Sequence, residues 1–354
     1  MQTEIIRITD AAASRADIAR AAAVIRGGGL VVFPTETVYG LGGNGLCARA
    51  SEKIYAAKGR PSDNPLIIHI SDPADARRYT VPSEEAWALY EKLARAFMPG
   101  PLTVILPRAE VVPLSTTGGL DTVAVRCPSH PVAHALIEAA GVPIAAPSAN
   151  LSGKPSPTEA SHVIHDLDGR VDVIIDGGAC EIGLESTIVK IDCDGNGAYL
   201  TLLRPGGITY DALTLVSARV EVARAVSEQL AADEKPLSPG MKYRHYAPAS
   251  PLILLDGSPD DVLAYLQEKQ AVETSAILCY DEEIPHLAPD GLLPIGMRDD
   301  VASHAHSLFA RLREADVMDP PPAAIYAHLP DRSGLGLALY NRMIRAAAHT
   351  VVRV

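Results

Sequence analysis

Short apolar runs separated by helical patterns constrain the fold of this chain more than any other feature. In the first two hundred residues the runs are four to six residues long and rich in branched aliphatic side chains, which is typical of buried strands. They lie at residues 4–8, 30–33, 66–70, 102–106, 122–126, 143–146, 172–175, 186–191 and 199–203. The helical patterns lie at residues 17–28, 49–58, 83–97, 130–140 and 158–166. Because several strands follow one another without a helix between them, an open twisted α/β domain with a mixed sheet is predicted.

The last hundred residues alternate more regularly. Four apolar runs and three helical patterns follow one another here, which predicts a small parallel α/β unit. The four runs are PLILLD, SAILCY, LLPIG and AAIYAHL, and the helical patterns lie at residues 259–270, 303–315 and 334–349. The segment between the two parts has a predicted short helix near 217–231 and then a proline-rich stretch. Its composition is that of a linker, but its density of cations and tyrosines is unusual for a spacer.

Composition excludes several classes of protein. With 354 residues, 47% of them hydrophobic and 21% charged, the chain can bury a core and is long enough for about two domains. The formal charge of −12 and the aromatic content of 5% argue against a nucleic-acid binder built on stacking platforms. A local basic pocket remains compatible with that charge.

The cysteines and the amino-terminal segment indicate a cytoplasmic protein. The five cysteines form no C-x-x-C pair and show no zinc-ligand spacing, so reduced core residues are expected. The segment MQTEIIRITD carries charges where a signal peptide needs an apolar region, and no run approaches the roughly 20 apolar residues of a membrane span.

Residues 34–64 contain the first candidate binding groups. Thr35, Thr37 and Tyr39 follow a strand directly, where a threonine serves either as a cap or as a ligand contact. The glycine-rich stretch that follows matches neither a P-loop nor a dinucleotide-binding fingerprint. Lys58 and Arg60 flank a glycine at the end of a helical pattern, so they either complement the helix dipole or clamp a phosphate.

Polar residues also stand where other predicted strands end. Arg126 closes a strand, and in an open α/β sheet such a residue points into the ligand crevice or forms a surface salt bridge. The loop APSANLSGKPSPT is dense in small hydroxyl and amide groups that suit oxyanions, although an ordinary turn has a similar composition. Ser186 starts a strand and Arg204 ends one. No nucleophile–base pair, paired carboxylates or nucleophile elbow accompanies them, so the pattern indicates phosphate and carboxylate binding rather than covalent catalysis.

The ordered set of motifs resembles one family over nearly the whole chain. The similarity is to the YrdC-like domain of threonylcarbamoyl-AMP synthases. It rests on PTETVYGLG, on Lys58 and Arg60 with the following NPL, and on Ser148–Asn150, and it continues through EST and LRPG. SPGMKYRHYAP and the second α/β unit resemble the two-domain branch of that family. The resemblance implies a YrdC-like catalytic domain over residues 1–207, a linker folding over the active site over 208–249, and a small Rossmann-like parallel α/β domain over 250–354.

The resemblance also implies a reaction and its site. ATP, L-threonine and bicarbonate would give L-threonylcarbamoyl-AMP, pyrophosphate and water, for N6-threonylcarbamoyladenosine modification of tRNA. Threonine would contact Thr37, His69, Arg126, Ala146 and Ser186. ATP would contact Lys58, Arg60, Asn64, Thr122, Ser148, Ser156, Arg204 and, from the linker, Tyr246.

The same resemblance carries expectations about cofactors and partners. No covalent or acid–base residue and no protein metal site is expected, because Mg²⁺ would be bound mainly through the ATP phosphates. The product would pass to a tRNA threonylcarbamoyl-transferase complex, without a membrane. Two alternatives stay open: an RNA-binding module without catalysis, and a hydrolase of a carbamoyl-phosphate-like substrate.

Overall fold

The computed structural model describes residues 2–226 and 245–354, which divide into two compact units. The described residues of the first unit are 2–152, 157–181 and 185–226, and those of the second are 153–156, 182–184 and 245–354. The predicted linker is therefore described only at its ends: residues 208–226 belong to the first unit and residues 245–249 to the second. Its centre lies outside the described residues, and the predicted domain boundaries stay a prediction.

The first unit is built on a large mixed sheet. Its strands are β1 (Glu4–Arg7), β2 (Val31–Phe33), β3 (Gly40–Asn44), β4 (Ile67–His69), β5 (Leu102–Pro107), β6 (Thr122–Arg126), β7 (Ile144–Ala146), β8 (Val173–Asp176), β9 (Thr187–Asp194), β10 (Gly197–Arg204) and β11 (Val220–Val222). Its helices are α1 (Arg15–Arg26), α2 (Ala48–Lys58), α3 (Glu84–Phe97), α4 (Pro131–Ala140), α5 (Ala160–Leu167) and α6 (Tyr210–Thr214). In the described residues the strand order is β1-β8-β2-β3-β7-β4-β6-β5-β9-β10-β11.

Local sequence sets the ends of these helices. The side chain of Ser83 caps α3 by accepting from the backbone N–H of Ala86, and α3 buries Trp87 and Leu93 against the sheet. Gly59 ends α2 in the left-handed conformation (φ 62°), which glycine adopts without steric cost. This turn directs the chain from α2 toward β4.

The mixed character of the sheet confirms the prediction. β4 runs parallel to β6, whereas β5 runs antiparallel to β6 and parallel to β9. The helix predicted near residues 217–231 is wrong in its described part, because Val220–Val222 forms β11 and pairs with β10. The rest of that predicted helix lies outside the described residues.

Strand β3 escapes detection because it consists mostly of glycine. It pairs antiparallel with β2 and β7. A Cβ on Gly42 would lie 2.7 Å from Cγ2 of Ile144 and 2.7 Å from Cε1 of Phe33. The neighbouring strands thus fill the space in which a side chain of β3 would stand.

The second unit carries an all-parallel sheet, as predicted. Its strands are β12 (Leu252–Asp256), β13 (Ser275–Cys279), β14 (Leu292–Pro294), β15 (Ala324–His328) and β16 (Val351–Arg353), in the order β14-β13-β15-β12-β16. Its helices are α7 (Pro259–Val272), α8 (Val301–Ala315) and α9 (Gly336–Ala346). Leu255, Val262, Leu266 and Ile277 form part of its core.

None of the helices in the described ranges is both long enough and apolar enough to cross a bilayer.

The packing around β3 predicts that Gly42→Ala destabilises the first unit by about 1–3 kcal/mol, since an added methyl overpacks the site. Urea unfolding followed by the fluorescence of Trp87, the single tryptophan of the chain, measures this. Gly195→Ala is the control, because nothing lies within 4 Å of its added Cβ. Equal stabilities of the two variants would contradict the packing argument.

Candidate active site in the first unit

Polar side chains meet where β4, β6, β5 and β9 lie side by side. His69 stands opposite Arg126 in the β4–β6 register, and Arg126 stands opposite Thr103 in the β6–β5 register. The hydroxyl groups of Thr103 and Ser186 are 2.8 Å apart. These four side chains form one buried polar row across the sheet, which we call the polar row.

Arg126 lies at the centre of the polar row. Its Nη2 donates to Oγ1 of Thr37 at 2.9 Å and lies 2.8 Å from Oε1 of Glu36. The side chains of Arg126 and Glu36 are both about 95% buried. A charge in this position requires a partner, because an isolated buried ion is strongly disfavoured. The Arg126–Glu36 ion pair meets that requirement.

Both members of the ion pair have polar atoms without a hydrogen-bond partner. Neither carboxylate oxygen of Glu36 receives a hydrogen bond of good geometry, and Nε of Arg126 has no acceptor. Buried polar groups are normally paired, so unpaired ones in a cluster point to a ligand. The site combines an unused guanidinium donor with an unused carboxylate, which is complementary to an α-amino acid zwitterion.

The segment after β2 is held rigidly beside Arg126. The hydroxyl oxygens of Thr35 and Thr37 are 2.8 Å apart, and Oγ1 of Thr35 donates to the carbonyl oxygen of Val38 at 2.7 Å. Thr37 is fully buried. Its hydroxyl is thus aimed into the polar row by a local turn.

His69 is a neutral imidazole in this site. Burial, and then the neighbouring charge of Arg126, lower the pKa of His69 to about 3. Its Nδ1 is 3.2 Å from the carbonyl oxygen of Ile144. At neutral pH His69 therefore adds hydrogen-bonding capacity without adding charge.

Arg204 reaches the other end of the polar row. Its Nε and Nη2 donate to the carbonyl oxygen of Ser186 at 3.0 and 2.9 Å, and Nη2 also donates to the Ser186 hydroxyl at 3.1 Å. The two predicted residues Ser186 and Arg204 are therefore in direct contact.

Lys58 forms a second cluster with the loop after β7, which we call the lysine cluster. Nζ donates to the carbonyl oxygens of Ser148 and Asn150, both at 2.5 Å, and the Ser148 hydroxyl donates to Oδ1 of Asn150. Ser148 is bridged to Gly40, and the carbonyl oxygen of Tyr39 accepts from the N–H of Ala149 at 2.8 Å. The loop that holds Lys58 is thus attached to the segment that carries Thr37.

Arg60 follows two residues after Lys58. Its Nε and Nη2 donate to the carbonyl oxygens of Asn64 and Pro65 at 3.3 and 3.1 Å. Oδ1 of Asn64 is buried and has no hydrogen-bond donor. The predicted residues Arg60 and Asn64 therefore share one turn after α2.

The remaining predicted residues are more dispersed. Ala146 ends β7 opposite Ile67 of β4. Thr122 begins β6, and the four residues to Arg126 correspond to about 13 Å along a strand. Ser156 and Tyr246 belong to the second unit, where the Tyr246 ring stacks on Phe309 at 5.3 Å between centroids.

Glu36 and Thr103 are the site residues that sequence reasoning missed. Glu36 stands between two threonines, and nothing in that pattern distinguishes a buried carboxylate from an exposed one. Thr103 lies inside an apolar run, where a hydroxyl reads as an ordinary strand residue. A cation closing a buried strand, as Arg126 does, is the signal that a carboxylate should be sought nearby.

Two thiols near this site are poor nucleophiles. Burial raises the pKa of Cys127 to about 12 and that of Cys180 to about 12. Their thiolate forms are scarce at neutral pH.

Family models match both parts of the chain. Residues 23–206 match the Sua5/YciO/YrdC family, described as "Telomere recombination", which defines the first unit as a YrdC-like domain. Residues 208–348 match the model described as "Threonylcarbamoyl-AMP synthase, C-terminal domain".

Relatives and solved structures agree with these matches. The threonylcarbamoyl-AMP synthase of Bacillus subtilis is 46% identical over 95% of this chain and 94% of its own, and that of Pyrococcus abyssi is 43% identical over 94% and 95%. The structure of P. abyssi Sua5 complexed with L-threonine is 40% identical, with a TM-score of 0.87 over all of both chains. This chain belongs to the threonylcarbamoyl-AMP synthase family.

Removing one partner of the buried ion pair should strongly destabilise the first unit, and removing both charges should restore most of that stability. Arg126→Met leaves Glu36 buried without a counter-charge and should cost about 3–5 kcal/mol, while Glu36→Gln combined with Arg126→Met should recover most of it. Trp87 fluorescence in urea measures both. Arg20→Met, which breaks the exposed pairs with Glu4 and Asp17, should cost less than about 1 kcal/mol. A double variant no more stable than Arg126→Met alone would contradict the pairing.

The low pKa of His69 predicts a pH dependence. The unfolded chain takes up this proton near pH 6.5 and the folded chain near pH 3, so the unfolded state binds more protons between these values. His69 should therefore lower the free energy of unfolding by about 1.4 kcal/mol per pH unit below pH 6.5. Urea unfolding of the wild type and of His69→Gln from pH 7 to pH 4.5 isolates this slope. An NMR titration of His69 near pH 6.5 would refute it.

Proposed function

We propose that this chain catalyses the synthesis of L-threonylcarbamoyl-AMP. ATP, L-threonine and bicarbonate are the substrates, and pyrophosphate and water are the other products. The N-carboxylate formed from threonine and bicarbonate attacks the α-phosphorus of ATP, the bond from that phosphorus to the bridging oxygen breaks, and pyrophosphate leaves with the electron pair. Family membership supports the reaction, and the site of the first unit supports the assignment of residues to it.

The observation that carries this proposal is the Arg126–Glu36 pair with its unused hydrogen-bonding groups. The threonine carboxylate binds Nε and Nη of Arg126, because a guanidinium matches two carboxylate oxygens. The threonine nitrogen lies toward Glu36. Thr37, His69, Ala146 and Ser186 complete the proposed threonine site, with neutral His69 adding no charge that would compete with Arg126.

The proposed ATP site uses the cations that flank the polar row. Lys58, Arg60 and Arg204 are each nine-tenths or more buried and bonded to backbone carbonyl oxygens, so these oxygens hold them in position. Asn64, Thr122 and Ser148 add neutral hydrogen-bonding groups. Ser156 and Tyr246, which lie in the second unit, rest on the family resemblance alone.

Magnesium is proposed to enter as part of MgATP. The described residues contain no group of three or more His, Cys, Asp or Glu side chains that could hold a metal ion. The phosphate oxygens and water would supply the ligands, and the bound ion would neutralise phosphate charge.

Catalysis by such a site rests on positioning and electrostatics. Fixed cations stabilise the charge that develops on the α-phosphoryl oxygens and on the leaving pyrophosphate. The buried polar row excludes water, which protects the carboxylate–phosphate anhydride of the product. We propose that this labile product is then transferred to a cytoplasmic complex that modifies tRNA.

The test of this function is pyrophosphate release, with mass spectrometry of the nucleotide product. Release should require ATP, threonine and bicarbonate together, and the product should have the mass of threonylcarbamoyl-AMP. Thr37→Val should raise the KM for threonine at least tenfold and leave the KM for ATP within about twofold, since it removes one hydrogen bond to a buried ligand. Arg60→Ala should lower kcat/KM for ATP at least 100-fold.

Arg95→Ala is the matched control, because Arg95 is exposed at the end of α3. Phosphate or pyrophosphate release without threonine would indicate a hydrolase instead. Steeply salt-dependent tRNA binding without turnover would indicate an RNA-binding module. Threonine-dependent release with an unchanged Thr37→Val variant would leave the reaction standing and refute the residue assignment.

A further inference from the structure

A cleft of about 740 Å³ lies in the second unit, at the edge where β13, β14 and β15 begin. Its walls are the end of α7, the loop before β14 and the loop after α8. Clefts of this volume accommodate a small ligand or a few residues of a peptide. None of the residues that line the cleft is assigned above to the reaction.

The walls of the cleft are held in place by hydrogen bonds. Nε2 of Gln270 donates to the carbonyl oxygen of Ala288 at 3.0 Å, and Oε1 of Gln270 accepts from the N–H of Ala288 at 2.9 Å. Oε1 of Glu273 accepts from the Tyr326 hydroxyl at 2.5 Å. The cleft is therefore preformed rather than created by a ligand.

The charged side chains that line the cleft are all acidic. Glu273, Asp290 and Asp319 line it, and its lining contains no Lys, Arg or His. α7 ends in its wall and α8 ends three residues before it, so the negative ends of two helix dipoles also face this edge.

The cations in the last turns of these helices are engaged elsewhere. Lys269 lies over the ring of Tyr265 at 5.1 Å, and Arg313 donates to the carbonyl oxygen of Pro155. The whole unit has the same sign, because residues 245–354 contain fifteen Asp and Glu against eight Lys and Arg.

Ser275 provides an independent sign of a ligand. The residue lines the cleft and is 6% exposed, and its hydroxyl has no hydrogen-bond partner in the structure. A buried hydroxyl without a partner lowers stability, and a ligand group in the cleft would supply that partner.

Exposed aliphatic side chains lie in the cleft lining or next to it in sequence. Val272 is 71% exposed and lines the cleft, and Val317, beside the lining residue Met318, is 68% exposed. A carboxylate-lined cleft between exposed aliphatic side chains fits a chain that alternates basic and apolar residues.

We propose that this cleft binds a basic segment of a partner polypeptide. An arginine or lysine side chain enters between Glu273, Asp290 and Asp319, and apolar residues beside it pack on Val272 and Val317. The negative charge of the unit disfavours nucleic acid. The described carboxylates form no metal-binding group, and a free polyamine would leave the exposed valines unused.

The test uses the full chain and a peptide of three Arg-Leu repeats that carries a neutral rhodamine dye. Its binding, followed by fluorescence anisotropy, should weaken at least tenfold in the triple variant Glu273→Gln, Asp290→Asn, Asp319→Asn. The control triple Glu268→Gln, Asp281→Asn, Asp299→Asn changes the net charge equally outside the cleft and should weaken binding less than threefold. The single variants of Asp290 and Asp319, which are both exposed, give the same readout if the first triple variant does not fold.

Two further variants separate the proposal from its competitors. Ser275→Ala should weaken peptide binding while leaving the unliganded chain as stable or more stable, a combination that a purely structural serine does not give. Val272→Ser with Val317→Ser should weaken peptide binding at least threefold. Three results would each overturn the proposal. They are equal losses of binding in both triple variants, no wild-type binding below millimolar peptide, and spermidine binding that is as tight as peptide binding and unaffected by the valine substitutions.

Discussion

A buried positive charge determines much of the arrangement in the first unit. Arg126 closes β6 in the interior of a sheet, where a guanidinium is stable only beside a carboxylate. Glu36 supplies that carboxylate, and this fixes the turn of Thr35 and Thr37 next to it. The same charge helps to keep His69 neutral. One ion pair thus sets the position of a loop, the orientation of two hydroxyls and the protonation of an imidazole.

The strands that the sequence predicts are those whose own side chains are apolar and buried. The β-branched runs of β4, β6 and β9 show that these strands are buried. Strand β3 is mostly glycine, and the space beside it is filled by side chains of neighbouring strands, Ile144 and Phe33. Candidate ligand groups follow a similar rule. Cations at strand ends, such as Arg126 and Arg204, are recognisable from the sequence. Glu36 is not, because its burial is created by a strand ninety residues away.

Lys58 and the second unit are two parts of the chain whose roles residue spacing leaves open. Spacing alone left Lys58 as either a dipole partner or a phosphate clamp, and the structure places it in contact with Ser148 and Asn150. The resemblance named a reaction but said nothing of what the second unit recognises. There the one-sided charge of residues 245–354 is informative, because a unit so acidic is suited to a basic partner rather than to the tRNA that the product modifies.

The attachment between Tyr39–Gly40 and Ser148–Ala149 couples the turn around Thr37 to the loop that holds Lys58. A ligand that tightens the turn around Thr37 also restrains the loop to which Lys58 is bonded, so it removes part of the ordering entropy that the second ligand would otherwise have to supply. If threonine binds at Thr37 and nucleotide at Lys58, as proposed above, the two affinities are linked, and by thermodynamic reciprocity each substrate strengthens the binding of the other by the same factor.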